Sequence, residues 1–312
     1  MIAHRSLVTF VSFLLFAAFC VDAKPLRKRT ARTTAPAGAL VVSTNPTNGQ
    51  FSSLQDAVNA LPSDGSTQTI FIEAGTYEGQ VYINSTGMLT IMGETEDTST
   101  YASNVVTLTF SASLGTAGSD DLSGTLRVHK DDFALYNVNV MNTFGEAAVN
   151  GQAIAISAYG TNHGYYASGF YSYQDTVLAE QGNQYYGFCF IQGAVDFIFG
   201  QHAFAFFQSN TIASVGPGAI TADVPLTIHI LAGSVAFTSC SLSSIINPAG
   251  WEIWSTTEPN TEDVTFAEFD NTDSGASGTR VSFSTKLTST AGYTIADVLG
   301  SDWTSWVDQD YV

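Results

Sequence analysis

Along this chain, apolar and polar positions alternate over short runs far more often than they recur at helical spacing. Runs rich in Val, Ile, Phe, Tyr and Thr cover 69–73, 80–83, 89–92, 105–110 and 125–129, and each predicts a strand. Five stretches then share one pattern, with aromatic or aliphatic residues first and small polar and apolar ones alternating after. They are FALYNVNV from 133, YYASGFYS from 165, YYGFCFIQ from 185, FAFFQSNT from 204 and VAFTSCSL from 235. Their starts lie 32, 20, 19 and 31 residues apart. Coils of roughly 20–30 residues, each with several strands, predict an all-β fold, a single-stranded right-handed parallel β-helix. Propeller blades need repeats of about 40–50 residues, and a sandwich would show many two-residue hairpin turns, of which there are few.

Helical spacing is clear once near the start, where Leu54, Ala57, Val58 and Leu61 fall on one face. Ser52 or Ser53 can cap this short helix and Pro62 can stop it. Its expected place is over the open end of the β-stack, whose first coil would otherwise expose apolar surface. Residues 293–312 predict a small helical tail along the outside. With no linker in sight, residues 36–312 are read as one elongated β-domain.

The N-terminus sets the compartment. His4 and Arg5 precede an apolar run from Ser6 to Cys20, and small residues follow at Val21-Asp22-Ala23. Residues 1–23 therefore read as a secretory signal peptide, too short for a spanning helix. Residues 24–35 form a basic leader, with a dibasic Lys28-Arg29 that could be a second processing point. The expected location is extracellular. Asn84-Ser85-Thr86 is a glycosylation sequon. Cys20 leaves with the signal, and Cys189 and Cys240 occupy different phases of the repeat, which argues against a disulfide.

Charge narrows the partners. Six of the ten Lys and Arg lie at or before position 32, leaving Arg127, Lys130, Arg280 and Lys286 beside 27 of the 28 carboxylates. Such a body repels nucleic acid and anionic membranes. It also repels a fully ionised polyuronate, so an acidic polymer is met more easily when esterified or at low pH.

Candidate chemistry gathers in the middle. Gln152 sits in Gly151-Gln152-Ala153, Gln174 and Asp175 in Tyr173-Gln174-Asp175-Thr176, and Asp196 in Gly193-Ala194-Val195-Asp196-Phe197-Ile198-Phe199-Gly200. The steps 152 to 174 and 174 to 196 are both 22 residues. Coils of that length would stack these residues on successive rungs, about 4.8 Å apart. Two stacked carboxylates cannot both ionise freely, so one stays protonated as a general acid while the other acts as nucleophile or base. Two carboxamides add donors for an oxyanion. Ester hydrolysis by a carboxylate needs no metal or cofactor. There is no Gly-x-Ser-x-Gly elbow, and His129, His163, His202 and His229 lack metal-ligand spacing. A structural polar ladder is the competing reading for Gln152 alone, but buried acids directly above one another destabilise unless they are used.

These segments resemble the pectinesterase (pectin methylesterase) family in its fungal form. Ile191–Gly200 (IQGAVDFIFG) is similar to the family's signature around its nucleophilic aspartate, and the Gln152 and Gln174-Asp175 segments to two further site blocks. TIFIEAGTYEGQV from 69 resembles the N-terminal signature, and INPAGWEIWS from 246 a late tryptophan block. The resemblance runs from about Pro36 to the C-terminus. It implies that Asp196 attacks the C6 methyl ester of a galacturonate unit, that Asp175 protonates methanol and then activates water, and that Gln152 and Gln174 hold the oxyanion. Tyr173, Phe199 and Trp254 would line sugar subsites, pectin would be the partner, and the enzyme is expected to be a monomer.

Two departures accompany the resemblance. Gly79 follows Glu78 where the family continues differently. The family's Leu-Gly-Arg-Pro-Trp block, whose Arg pairs with the nucleophilic aspartate, has no counterpart: no arginine lies between Arg127 and Arg280. At its place stands ADVPLTIHILAGSV, 222–235. Loss of that cation would leave Asp196 a poorer nucleophile, so a catalytically impaired pectin-binding solenoid is the alternative. Another β-helix pectin-degrading enzyme is a further one, although a lyase would need a calcium-carboxylate cluster and a basic proton abstractor.

Overall fold

A computed structural model describes residues 31–216, 218–223, 234–238, 247–251 and 265–312, with 242, 253, 256 and 261 singly. The signal peptide, most of the basic leader, Cys240, Trp254 and most of 222–235 lie outside the described residues.

Helix α1 (Leu54–Asn59) starts where the Ser53 side chain accepts a hydrogen bond from the Asp56 amide. It buries Leu54, Ala57 and Val58 and packs on the strands Leu40–Val42 and β1 (Val81–Ile83), at the first coil of the stack. Beyond it, the described strands pair in parallel and form three long faces. Parallel neighbours cannot be joined by hairpins; here the other two strands of each coil are the crossover. The face that concerns function runs β1, β2 (Leu126–His129), β3 (Ile156–Tyr159), β4 (Val177–Gly187), β5 (Ile198–Gly200), β6 (Thr221–Asp223). A second face runs from Leu40–Val42 to His202–Gln208 and shares β4, which is long enough to serve both. A third runs from Gly75–Glu78 to Thr211–Ser214. This is a parallel β-helix.

The eight-residue stretches from 133, 165, 185 and 204 are each two strands with a sharp corner between the second and third faces. At the corners stand Asn137, Ala167, Phe188 and Ser209, all left-handed with φ of 52°, 46°, 56° and 54°. Only the asparagine favours that conformation intrinsically. The coil imposes it on the others, because their amides then reach the next coil, as from Ala167 to the Gly187 carbonyl at 2.9 Å and from Phe188 to Gln208 at 3.0 Å.

Inside, like stacks on like. Tyr165, Tyr186 and Phe207 are register partners, with ring centroids 4.6 and 4.5 Å apart, close to the strand spacing itself. Their buried hydroxyls are satisfied: Tyr186 donates to Gln184 at 2.8 Å, and Tyr165 pairs with His163 Nδ1 at 3.1 Å. Burial lowers the His163 pKa to about 4, so this interior histidine is neutral. Cys189 is a free, buried thiol whose pKa burial pushes up to about 12.

The C-terminal tail forms a helix at Ile295–Leu299 and two short 3-10 turns, packed outside the barrel on Ala134, Tyr166 and Tyr185. After β6 the described strands form a separate parallel sheet of Ser234–Thr238, Thr265–Phe269 and Ser284–Lys286. Among the described residues, no strand pairing joins it to the main stack.

Candidate active site

Backbone register decides which side chains meet. Ile156, Val177 and Ile198 are successive register partners, 21 residues apart each time. The spacing of 22 expected between Gln174 and Asp196 is therefore one residue too long. Asp196 shares its rung position with Asp175, while Gln174 pairs with Val195. Gln152 falls one position out of phase with Gln174, because the Ala153 amide is the group that binds the Gln174 carbonyl, at 3.0 Å. The physical reason is that the ladder counts backbone hydrogen bonds, whatever side chains the residues carry. The result places the two carboxylates on neighbouring rungs.

Both aspartates occupy the left-handed region, Asp175 at φ 62° and Asp196 at 48°. Aspartate tolerates this better than most residues. Their amides bind the following coil, Asp175 to the Val195 carbonyl at 3.0 Å and Asp196 to Ala219 at 2.7 Å. The kink sits immediately before β4 and β5, so both side chains leave the coil at the same corner. Glycines flank the second one. A Cβ at Gly193 would stand 2.2 Å from the Phe197 side chain, and one at Gly200 would stand 1.7 Å from the Ala179 carbonyl oxygen of the neighbouring coil. Close packing of coils thus fixes both ends of the Asp196 segment.

The environments of the pair differ. Asp175 is 7 % exposed. Burial, then the neighbouring Asp196 charge, then Asp120, raise its pKa to about 8, against a hydrogen bond from the Gln174 side chain that favours the anion. Asp175 is thus a carboxylic acid at neutral pH. Asp196 is only partly buried. Gln174 Oε1 lies over Gly151, 3.2 Å from where a Cβ would stand. The Gln152 side-chain oxygen is buried without a hydrogen-bond partner, so the protein leaves that amide only partly used.

Of the expected sugar-contact residues, Tyr173 and Phe199 are described, and Trp254 lies outside the described residues. Burial, then the charge of Glu146 and a hydrogen bond to it, raise the Tyr173 phenol pKa, and its ring lies over Gly216. Phe199 follows Asp196 by three residues and lines a cavity with Asp120, Tyr159, Leu178 and Glu180. Asp120, Tyr159 and Glu180 were not legible as site residues. Asp120 opens helix α2 (Asp120–Ser123), where Ser119 and two acids signal only a helix start. Among the described residues, no three His, Cys, Asp or Glu side chains converge as metal ligands would.

The model of the pectinesterase family matches residues 39–225. A pectinesterase of Aspergillus aculeatus is 42 % identical over 96 % of this chain and 99 % of its own length, and one of Aspergillus niger is 41 % identical over 97 % and 99 %. The chain belongs to the pectinesterase family. Among solved structures, the pectin methylesterase of Aspergillus niger is similar with a TM-score of 0.80 at 36 % identity, covering 90 % of this chain and all of that one. The carrot pectin methylesterase shares the fold, with a TM-score of 0.76 at 23 % identity over 87 % of this chain and 97 % of its own. The alignment to the Aspergillus aculeatus pectinesterase spans 337 positions, more than the 312 residues of this chain, so that relative carries residues without counterparts here. The family match itself stops at 225, inside the segment 222–235.

Proposed function

We propose that Asp196 and Asp175 carry out the pectinesterase reaction in this protein. As a member of that family it hydrolyses methyl esters of pectin. In our reading, an Asp196 oxygen attacks the C6 carbonyl carbon of an esterified galacturonate unit, and the carbonyl electrons move onto oxygen. Amide N–H groups of Gln152 and Gln174 bind that oxyanion. Collapse breaks the bond to the methoxy oxygen, which takes the Asp175 proton and leaves as methanol. Asp175, now a carboxylate, removes a proton from water and is restored as the acid; the hydroxide attacks the same carbon, expels Asp196 as a carboxylate and leaves a uronic acid, which loses its proton to solvent. The observation that carries this reading is the pairing of two aspartates on neighbouring rungs, one held protonated to about pH 8. Methanol release from high-methoxyl pectin tests it: the chain should release methanol and produce no new reducing ends, which a chain-cleaving enzyme would create.

We also read residues 1–23 as a cleaved signal, the protein as extracellular, and exposed Asn84 as glycosylated. The related Aspergillus niger enzyme carries an N-acetylglucosamine stub, and no helix among the described residues is long and apolar enough to cross a membrane. Intact mass before and after glycosidase treatment of secreted protein tests this. A monomer is the assembly to check by light scattering.

A second reading has its own observation. The family match ends at 225 and no arginine lies between 127 and 280, which favours a chain that binds pectin but turns it over poorly. Inserting a family-like Leu-Gly-Arg-Pro-Trp segment should then raise methanol release by about 10²-fold or more. Equal rates at matched folding would leave the arginine dispensable here.

A further inference from the structure

Beside the aspartate pair lies a cavity of about 190 Å³ lined by Asp120, Tyr159, Leu178, Glu180, Phe199, Gly200 and Gln201. Leu178 and Phe199 are register partners, each three residues beyond an aspartate of the pair. At about 3.3 Å per residue the cavity sits roughly 10 Å from the reacting atoms, so it meets a neighbouring sugar unit. Its volume suits a single pyranose ring, and Tyr159 and Phe199 offer the aromatic surface that sugar rings stack upon.

Its charges are all of one sign. The wall contains two carboxylates and no Lys or Arg. The basic side chains around it are engaged: Arg127 and the His129 ring bind Asp121 at 2.5 and 2.9 Å, and the exposed His202 ring meets Glu180 at 3.3 Å. The Asp120 charge also reaches Asp175, where it adds to burial and Asp196 in raising the pKa to about 8. Asp120 Oδ1 is buried with no hydrogen-bond partner, which is costly in the free protein and leaves an acceptor for a sugar hydroxyl.

We propose that Asp120 and Glu180 are specificity-determining residues that admit an esterified, uncharged uronyl unit to this cavity and reject an ionised one. The inference rests on the pectinesterase reading and extends it to the units beside the reacting ester. Each de-esterification would then make the neighbouring ester a poorer substrate, so the chain would act at scattered positions and leave no long ionised blocks. Burial raises the pKa of both acids, so the discrimination should fade in acid, where they and the uronates are protonated.

Binding tests this without relying on turnover. Calorimetry at pH 7 and low salt, with fully esterified and de-esterified oligogalacturonides as probes, should show roughly tenfold or greater preference for the ester. Glu180→Gln and Asp120→Asn should each reduce that preference, their combination should bring it near twofold, and added salt should weaken it. Equal binding of the two probes by the wild-type protein, or a preference unchanged in both folded variants, would overturn the proposal. Absence of methanol release with the preference intact would instead overturn the catalytic reading alone.

Discussion

Two regions along one sheet face meet a carboxylate each, part-buried Asp121 from helix α2 and buried Asp175, and treat them in opposite ways. At the β2–β3 end, Asp121 receives Arg127 at 2.5 Å, His129 at 2.9 Å and the Ser157 hydroxyl at 2.7 Å. Burial works against its charge, but these partners outweigh it and bring the pKa down to about 2. Two coils on, Asp175 gets one hydrogen bond from Gln174 and faces two further acids, so burial prevails and its pKa rises to about 8. Aromatic rings reinforce the first region: Tyr159 stacks on His129 at 4.4 Å, and Arg127 sits 4.8 Å over Tyr82. The first arrangement is what a structural ion cluster looks like. The second stores an acid that the fold alone does not reward, as the proposed chemical role requires.

The largest effect should come from Asp196, whose charge adds to burial in raising the Asp175 pKa. Asp196→Ala should lower methanol release by about 10⁴-fold or more, since no nucleophile remains; a folded variant with wild-type turnover would remove Asp196 from the mechanism. Asp175→Asn should cost about 10²–10⁴-fold, the range of a lost general acid. The same variant should gain stability at neutral pH. The folded pKa lies above the unfolded value of about 4, so the stability is present below that pH and is lost as pH rises through 8. Chemical denaturation should show Asp175→Asn more stable by on the order of a few kcal/mol at pH 8 and equal near pH 4.

Gln152→Ala should lower turnover by about 10²–10³-fold with little change in stability, as for a lost oxyanion donor. Arg127→Ala should do the reverse. It strands a part-buried carboxylate, so it should destabilise by about 1–3 kcal/mol while folded protein keeps most of its turnover. A large loss of turnover with unchanged melting would mean that the ion cluster belongs to the active site.

Much of this was legible in the chain because coils repeat. The strand runs, the capping helix with Ser53 and the outer tail all follow from periodicity and local residue preference. The corners were not. Nothing local tells Ala167 or Phe188 to adopt a left-handed backbone; only amides reaching for the next coil do that. The same cause hid the true spacing. Counting from side chain to side chain joined Gln174 to Asp196, whereas backbone pairing joins Asp175 to Asp196. Asp120 was hidden for another reason: it arrives from a helix some 55 residues upstream of Asp175, and no periodic pattern links the two.

The pH dependence of kcat/KM for methanol release tests the central claim most directly, because it reads the protonation of the acid itself. With background saponification subtracted, the wild-type protein should lose activity as pH rises through about 8, tenfold per unit beyond it, as its acid ionises. The residual activity of Asp175→Asn should lack that limb. A descending limb near 8 that persists unchanged in Asp175→Asn would assign the acid to another group and contradict the division of labour proposed for the pair.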